Sequence, residues 1–245
     1  MKNFLFNSYV KNDHRYITIC GIKFSFRKNK NYIVVISKNG KKRKVRKISG
    51  LNINFYGNNN IVKIYEPIPK FINSKISLYS KNRCEIQSSA KGIKSLVLNL
   101  QMHSRAKIGK DCSIVSADIV VDYNSAINIG NDCMFSGGIR IWTGDGHMIF
   151  DKEKQNFVMP KNITIGNHVW LGMFSTVLKG ANIPDGCIVG AYSVVTKPFG
   201  NPDSIICGNP AKTVKNNIYW DPISMTQIKI SGRENEFKNI AMSQQ

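Results

Sequence analysis

Residues 165–194 read IGNHVW, LGMFST, VLKGAN, IPDGCI and VGAYSV, five consecutive units of six. The first position of each unit is Ile, Leu or Val, and the fifth is small or slender: Val169, Ser175, Ala181, Cys187, Ser193. A strict period of six over this length is the mark of a coiled repeat rather than of a sheet-and-helix domain. Each hexad supplies a short strand and a turn, and three hexads close one triangular circuit. The first-position aliphatic points inward and stacks on its equivalents in the coils above and below, about 4.8 Å away. The fifth position also points inward, beside a tight corner that admits only a small side chain. Glycines at the second and fourth positions (Gly166, Gly172, Gly180, Gly186, Gly190) suit corners with unusual backbone angles.

The same code appears upstream in IGKDCS (108–113) and IGNDCM (129–134), with Cys112 and Cys133 in the fifth slot and an irregular coil between them. Farther back, IVKI (61–64), NSKISL (73–78) and KSLVLNL (94–100) keep short β-prone runs between Asn, Gly and Lys. The spacing predicts a β-helical domain over residues 48–215, with degenerate coils over 48–107. Residues 1–47 read as a small β-rich cap or entry hairpin. Residues 216–245 read as an irregular tail with a short helix from Glu234 to Ala241.

Between Ile141 and Ile165 the code breaks at WTGDGHMIFDKEKQNFVMPKN (142–162). In register, His147, Glu153 and Met159 would fall in the inward aliphatic slot, where a His and a Glu are poorly solvated. The chain must therefore leave the coil as a loop over 142–162, and such loops on rigid scaffolds are where chemistry concentrates. Inside it stands GDGH (144–147). An imidazole there suits a general base, and a nearby carboxylate, Asp145 or Asp151, would fix its tautomer. His14, His103 and His168 have no partner pattern, and His168 reads as an exposed corner residue.

The hexads resemble the hexapeptide-repeat acyltransferases, regularly over 108–212, loosely over 48–107 and not outside those limits. GDGHMIFD followed by ITIGNHVWLG is similar to the stretch that carries the catalytic His in the capsular and lipopolysaccharide sugar O-acetyltransferases of that family. The resemblance implies an all-β fold, a left-handed parallel β-helix; the period alone does not set the hand. It implies His147 as base and Trp170 beside the acetyl and acceptor groups. Met173 stands where many relatives have Ser or Asn, so an oxyanion donor there must be its backbone N–H. VVTKPFGNPDSIICGNPAKTVK (194–215) resembles the segment that closes the helix over CoA. Gly172, Gly190 and Ala191 would flank the pantetheine arm, with Thr196, Lys197, Lys212 and Lys215 as polar and cationic contacts. A homotrimer with CoA between neighbouring helices is the implied assembly. Carbonic anhydrases on the same helix need three metal-binding His residues, a set this sequence lacks, so no metal is expected.

The chain of 245 residues carries 35 Lys+Arg against 15 Asp+Glu, a net charge of +20. That surface attracts polyanions, and much of it lies in Lys41, Lys42, Arg43, Lys44, Arg46 and Lys47. An acidic acceptor such as polysialic acid capsule is the sharper expectation. N-acetylation of an amino sugar nucleotide is one alternative, and a polyanion-binding β-helical module without catalysis is another. No nucleic-acid motif is present, and aromatics are not interleaved with the basic run. The six cysteines form no C-x-x-C pair and read as reduced, mostly buried thiols. The longest apolar runs are too short to span a bilayer. MKNFLFNSYV (1–10) lacks a secretory pattern, giving a cytoplasmic expectation.

Overall fold

A computed structural model of the chain describes residues 6–11, 14–19, 22–27 and 30–243. Residues 1–5 and Cys20 lie outside the described residues. The chain divides into two units, 1–31 and 32–245. The first is an antiparallel meander of Phe6–Lys11, His14–Ile19 and Ile22–Arg27.

The second unit is a β-solenoid of about seven turns. Its strands stack into three parallel sheets, one per face of the triangular coil. Face I holds Ile61–Tyr65, Arg83–Ile86, Arg105–Ile108, Ala126–Ile129, Ile163–Ile165 and Asn182–Ile183. Face II runs from Lys70–Ile72 through Met134–Phe135, Trp170–Leu171 and Ile188–Val189 to Ile205–Gly208. Face III runs from Leu51–Phe55 through Ile139–Trp142 and Thr176–Leu178 to Val194–Val195. The chain visits the faces in that order in each turn.

The hexad code maps onto this geometry position by position. Ile165, Leu171, Val177, Ile183 and Val189 are buried, as are Val169, Ser175, Ala181, Cys187 and Ser193 in the fifth slot. The corner angle falls on the fourth position: Asp111, Asp132, His168, Phe174, Gly180, Gly186 and Tyr192 all have φ between 51° and 80°. Only two of these are glycine, so most corners hold a side chain in the left-handed region that non-glycine residues seldom adopt. Second-position glycines have a different cause. A Cβ on Gly172 would lie 2.7 Å from the Ala191 nitrogen, so Gly172 is required by the close approach of the next coil.

The parallel ladder starts earlier than residue 48. Tyr32–Ile36 pairs in parallel with Ile61–Tyr65, and the antiparallel strand Lys42–Val45 follows as the edge of face I. YIVVI lacks the hexad code but alternates, and its buried Ile33 and Val35 fill the first coil. Lys42, Arg43 and Lys44 of the basic run lie on the edge strand, and exposed Lys and Arg side chains discourage edge-to-edge pairing. Two of them are engaged: Arg43 with Glu66 at 3.2 Å, and Lys44 over the Tyr32 ring at 4.1 Å.

The tail holds the helix expected from Glu234, as α2 (Glu234–Ser243), and before it one that was not expected, α1 (Met225–Ser231). Ser224 and Gln227 form a capping box at the start of α1, a local signal that an irregular reading overlooks. Cys84, Cys112, Cys133 and Cys187 are buried free thiols and Cys207 is half-buried. No helix among the described residues is long and apolar enough to cross a membrane.

Candidate functional site

The loop leaves the corner between face III and face I. Its neck is closed by the Lys161 N–H, which donates to the Thr143 carbonyl at 2.9 Å. Thr143 is itself fully buried, and its hydroxyl accepts from the Asp122 N–H at 2.8 Å and meets Ser125 Oγ at 2.7 Å. Beyond the neck, Phe150–Asp151 and Asn156–Phe157 form a small antiparallel hairpin braced by the Phe150 and Phe157 rings, 5.4 Å apart. The two glycines of GDGH have separate duties. A Cβ on Gly144 would lie 2.1 Å from Asp122 Oδ2, and Gly146 turns the chain at φ 75°.

His147 stands exposed in a cleft of about 350 Å³, walled by Asp122, Asp145, Met148, Phe157 and Met159. The ring makes no hydrogen bond, ion pair or ring contact among the described residues. Asp145 shares the cleft, but its carboxylate is paired with Lys179 from the same corner one coil on. Asp151 lies outside the cleft lining and caps its own hairpin, accepting from the Glu153 and Lys154 N–H groups at 3.0 Å each. Asp122 is the carboxylate that sequence reasoning missed: it lines the same cleft as His147 although it belongs to the previous coil. No local pattern marks VDYNS (121–125), because the proximity arises only when two coils stack.

The remaining candidate residues are spread over other edges of the triangle. Trp170 lies on face II, where its indole N–H donates to Ser136 Oγ at 3.1 Å. Gly172, Met173, Gly190 and Ala191 line the corner between faces II and III. There the backbone N–H groups of Met173 and Ala191, one coil apart, make no hydrogen bond among the described residues. Exposed Phe174 and Tyr192 stack at the same corner with centroids 5.1 Å apart, above a face III groove of about 450 Å³ that also contains Asp118 and Arg140. Thr196 and Lys197 follow Val194–Val195 and so fall at the His147 corner, with Lys197 Nζ 6.0 Å above the Phe199 ring. Lys212 and Lys215 are exposed on the strand Ala211–Lys215, which returns antiparallel along Ile205–Gly208. One chain thus brings His147 together with Asp145. It leaves Trp170 and the Gly172–Ala191 corner on the far side of face III.

His168 is not the exposed corner residue the sequence suggested. Its ring is half-buried between Asp132 and the tail residue Trp220, with a hydrogen bond to each. Among the described residues no group of three His, Cys, Asp or Glu side chains is placed to hold a metal ion.

Comparison with known proteins gives the family context. Residues 162–197 match the family model described as bacterial transferase hexapeptide (six repeats). A polysialic acid O-acetyltransferase of Neisseria meningitidis is 36% identical over 165 residues, covering 67% of this chain and 76% of the relative. One from Escherichia coli O1:K1 is 32% identical over 118 residues, which is 48% of this chain but 38% of the relative's length. Among solved structures, the polysialic acid O-acetyltransferase OatWY superposes with a TM-score of 0.65 at 29% identity, covering 85% of this chain and 99% of that one.

Proposed function

The chain belongs to the hexapeptide-repeat family of acetyltransferases, and on that premise we propose that it moves an acetyl group from acetyl-CoA to a sugar hydroxyl of an acidic surface polysaccharide of the polysialic acid kind. The observation that carries this reading is His147, lifted from the coil on a closed neck into a cleft with its ring nitrogens unused. A base held for an incoming hydroxyl needs that freedom.

In the proposed reaction a His147 ring nitrogen takes the proton of the acceptor hydroxyl as its oxygen attacks the thioester carbonyl. Negative charge then develops on the carbonyl oxygen. The Met173 N–H, or that of Ala191, is available to receive it, and one such donor contributes about 3 kcal/mol. Collapse of the tetrahedral intermediate expels the CoA thiolate, which recovers the proton from the imidazolium. Trp170 borders the acetyl and acceptor groups. Gly172, Gly190 and Ala191 flank the pantetheine arm, and Thr196, Lys197, Lys212 and Lys215 serve the polar and phosphate end. No metal takes part. Use of acetyl-CoA places the reaction in the cytoplasm.

A homotrimer belongs to this reading. Thr196 and Lys197 share the His147 corner, whereas Met173 and Ala191 lie across face III. A closed three-fold ring sets the second corner of one copy against the first corner of the next. The acceptor class is supported by the net charge of +20 and by the activity of the relatives.

The test is incubation with acetyl-CoA and polysialic acid, a neutral glucan or an amino sugar nucleotide, followed by mass spectrometry before and after mild base. The expected product is acetylated polysialic acid whose acetyl groups are lost in base, as esters are. Its acceptor KM should rise with salt, because exposed charges are screened. A base-stable amide on the amino sugar nucleotide, or a salt-insensitive preference for the neutral glucan, would contradict the proposal.

A further inference from the structure

Trp220 sits in a segment with no repeat and a polar composition, yet it is only 6% exposed. The tail reaches it by way of the Ile218 N–H, which donates to the Asp203 carbonyl at 2.9 Å. Its indole lies flat on the His168 ring, centroids 4.1 Å apart and planes 13° from parallel. Two reciprocal hydrogen bonds lock the pair: Trp220 Nε1 donates to the His168 carbonyl, and His168 Nε2 donates to the Trp220 carbonyl, both at 3.0 Å. His168 is fixed in turn by Asp132 Oδ2 at 2.8 Å from Nδ1, and Asp132 Oδ1 accepts from Lys91 Nζ at 2.5 Å.

Trp220 also meets Trp170, with centroids 5.9 Å apart and planes at 42°. Trp170 is therefore gripped at two points, through its N–H by Ser136 and across its ring by Trp220. Neither the hexad code nor the comparisons assign a task to this clasp. Lys91, Asp132, His168 and Trp220 form a chain of pairwise contacts that ends on the Trp170 ring, a costly arrangement for a plain end-cap.

We infer that Trp220 is a positioning residue for Trp170, so that the tail sets the acceptor side of the site and the Lys91–Asp132–His168 chain holds it there. This rests on the reading in which Trp170 borders the acceptor. Orientation errors on the order of 1 Å at a reacting group cost about 100-fold in rate, so a loosened Trp170 should be felt in the acceptor step alone.

The experiment compares full-length wild type with Trp220→Ala, Trp220→Phe and Asp132→Asn, reading acceptor kinetics, acetyl-CoA KM and Tm. Trp220→Ala is expected to lower acceptor kcat/KM by roughly 10- to 100-fold, with acetyl-CoA KM held within about twofold. Trp220→Phe should recover most of the loss, and Asp132→Asn should reproduce the same split from outside the tail. A lowered Tm with unchanged acceptor kcat/KM, or equal losses on both substrates, would overturn the inference. Should wild type transfer no acetyl group at all, the proposed function has failed and the clasp is read separately by fluorescence. In a Trp142→Phe background, Trp170 emission should shift to the red and quench more readily in Trp220→Ala than in Trp220→Phe. Identical emission in the two would overturn the clasp itself.

Discussion

The coils over residues 163–195 and the loop over 142–162 come from adjacent stretches of one chain and treat their side chains in opposite ways. In the coils, every first and fifth hexad position is withdrawn from water. In the loop, residues 145–150 and 152–157 are all exposed, His147 among them. Rigidity and chemistry are thus separated: the coil carries the stability, and the neck at Thr143 and Lys161 transmits that rigidity to a loop that contributes little of it.

Equal deletions on the two sides should have unequal results. Ile165→Ala leaves a hole in a stacked column that cannot collapse, and is expected to cost about 2–5 kcal/mol in chemical denaturation. Met159, which the hexad register would have placed in the same kind of slot, is 51% exposed. Met159→Ala should change stability by less than about 0.5 kcal/mol. Similar losses from both would erase the distinction between coil and loop.

Acid sharpens the comparison at the face I–II corner. Burial alone would raise the Asp132 carboxyl, but hydrogen bonds from Lys91 and His168 outweigh it and hold it below its ordinary value. The lowered carboxyl stabilises the clasp fully above about pH 4, and that contribution is lost as pH falls through its lowered value. Trp emission should therefore report release of the tail in strong acid before the coil melts. Release on raising the pH from 5 to 8 would give this carboxylate the wrong sign.

The smallest effect concerns a flaw in the coil. Ser175 Oγ is buried with no hydrogen-bond partner among the described residues. Ser175→Ala is expected to gain about 1 kcal/mol, since an unsatisfied buried hydroxyl is removed without changing the shape of the slot. A loss instead would mean the hydroxyl has a partner in the assembled protein. Cys84 needs no such repair. Burial first and the Glu85 charge second push its thiol up to about 12, so it stays protonated and inert to thiol reagents near neutrality.

The hexads from 108 to 195 were legible because inward packing constrains two positions in six, and that constraint leaves a period. Tyr32–Ile36 was harder, because a first coil has a neighbour on one side only and obeys alternation without the corner code. The loop was legible as a violation, through His147 and Glu153 in slots that exclude them. What could not be read were contacts between coils at long separation. Asp122 in the His147 cleft and Lys179 on Asp145 depend on which corners stack, Trp220 on His168 depends on where the tail returns, and no local spacing encodes them. The glycine reading was half right: Gly180 and Gly186 serve angles, while Gly172 serves close approach.

The most direct test of the division between scaffold and chemistry is the rate of thiol release from acetyl-CoA with polysialic acid, wild type against His147→Ala, at matched Tm. The account predicts an unchanged Tm and a rate lower by about 10²–10⁴. Equal rates in the two proteins would remove His147 from the reaction and return the loop to a surface feature of the coil.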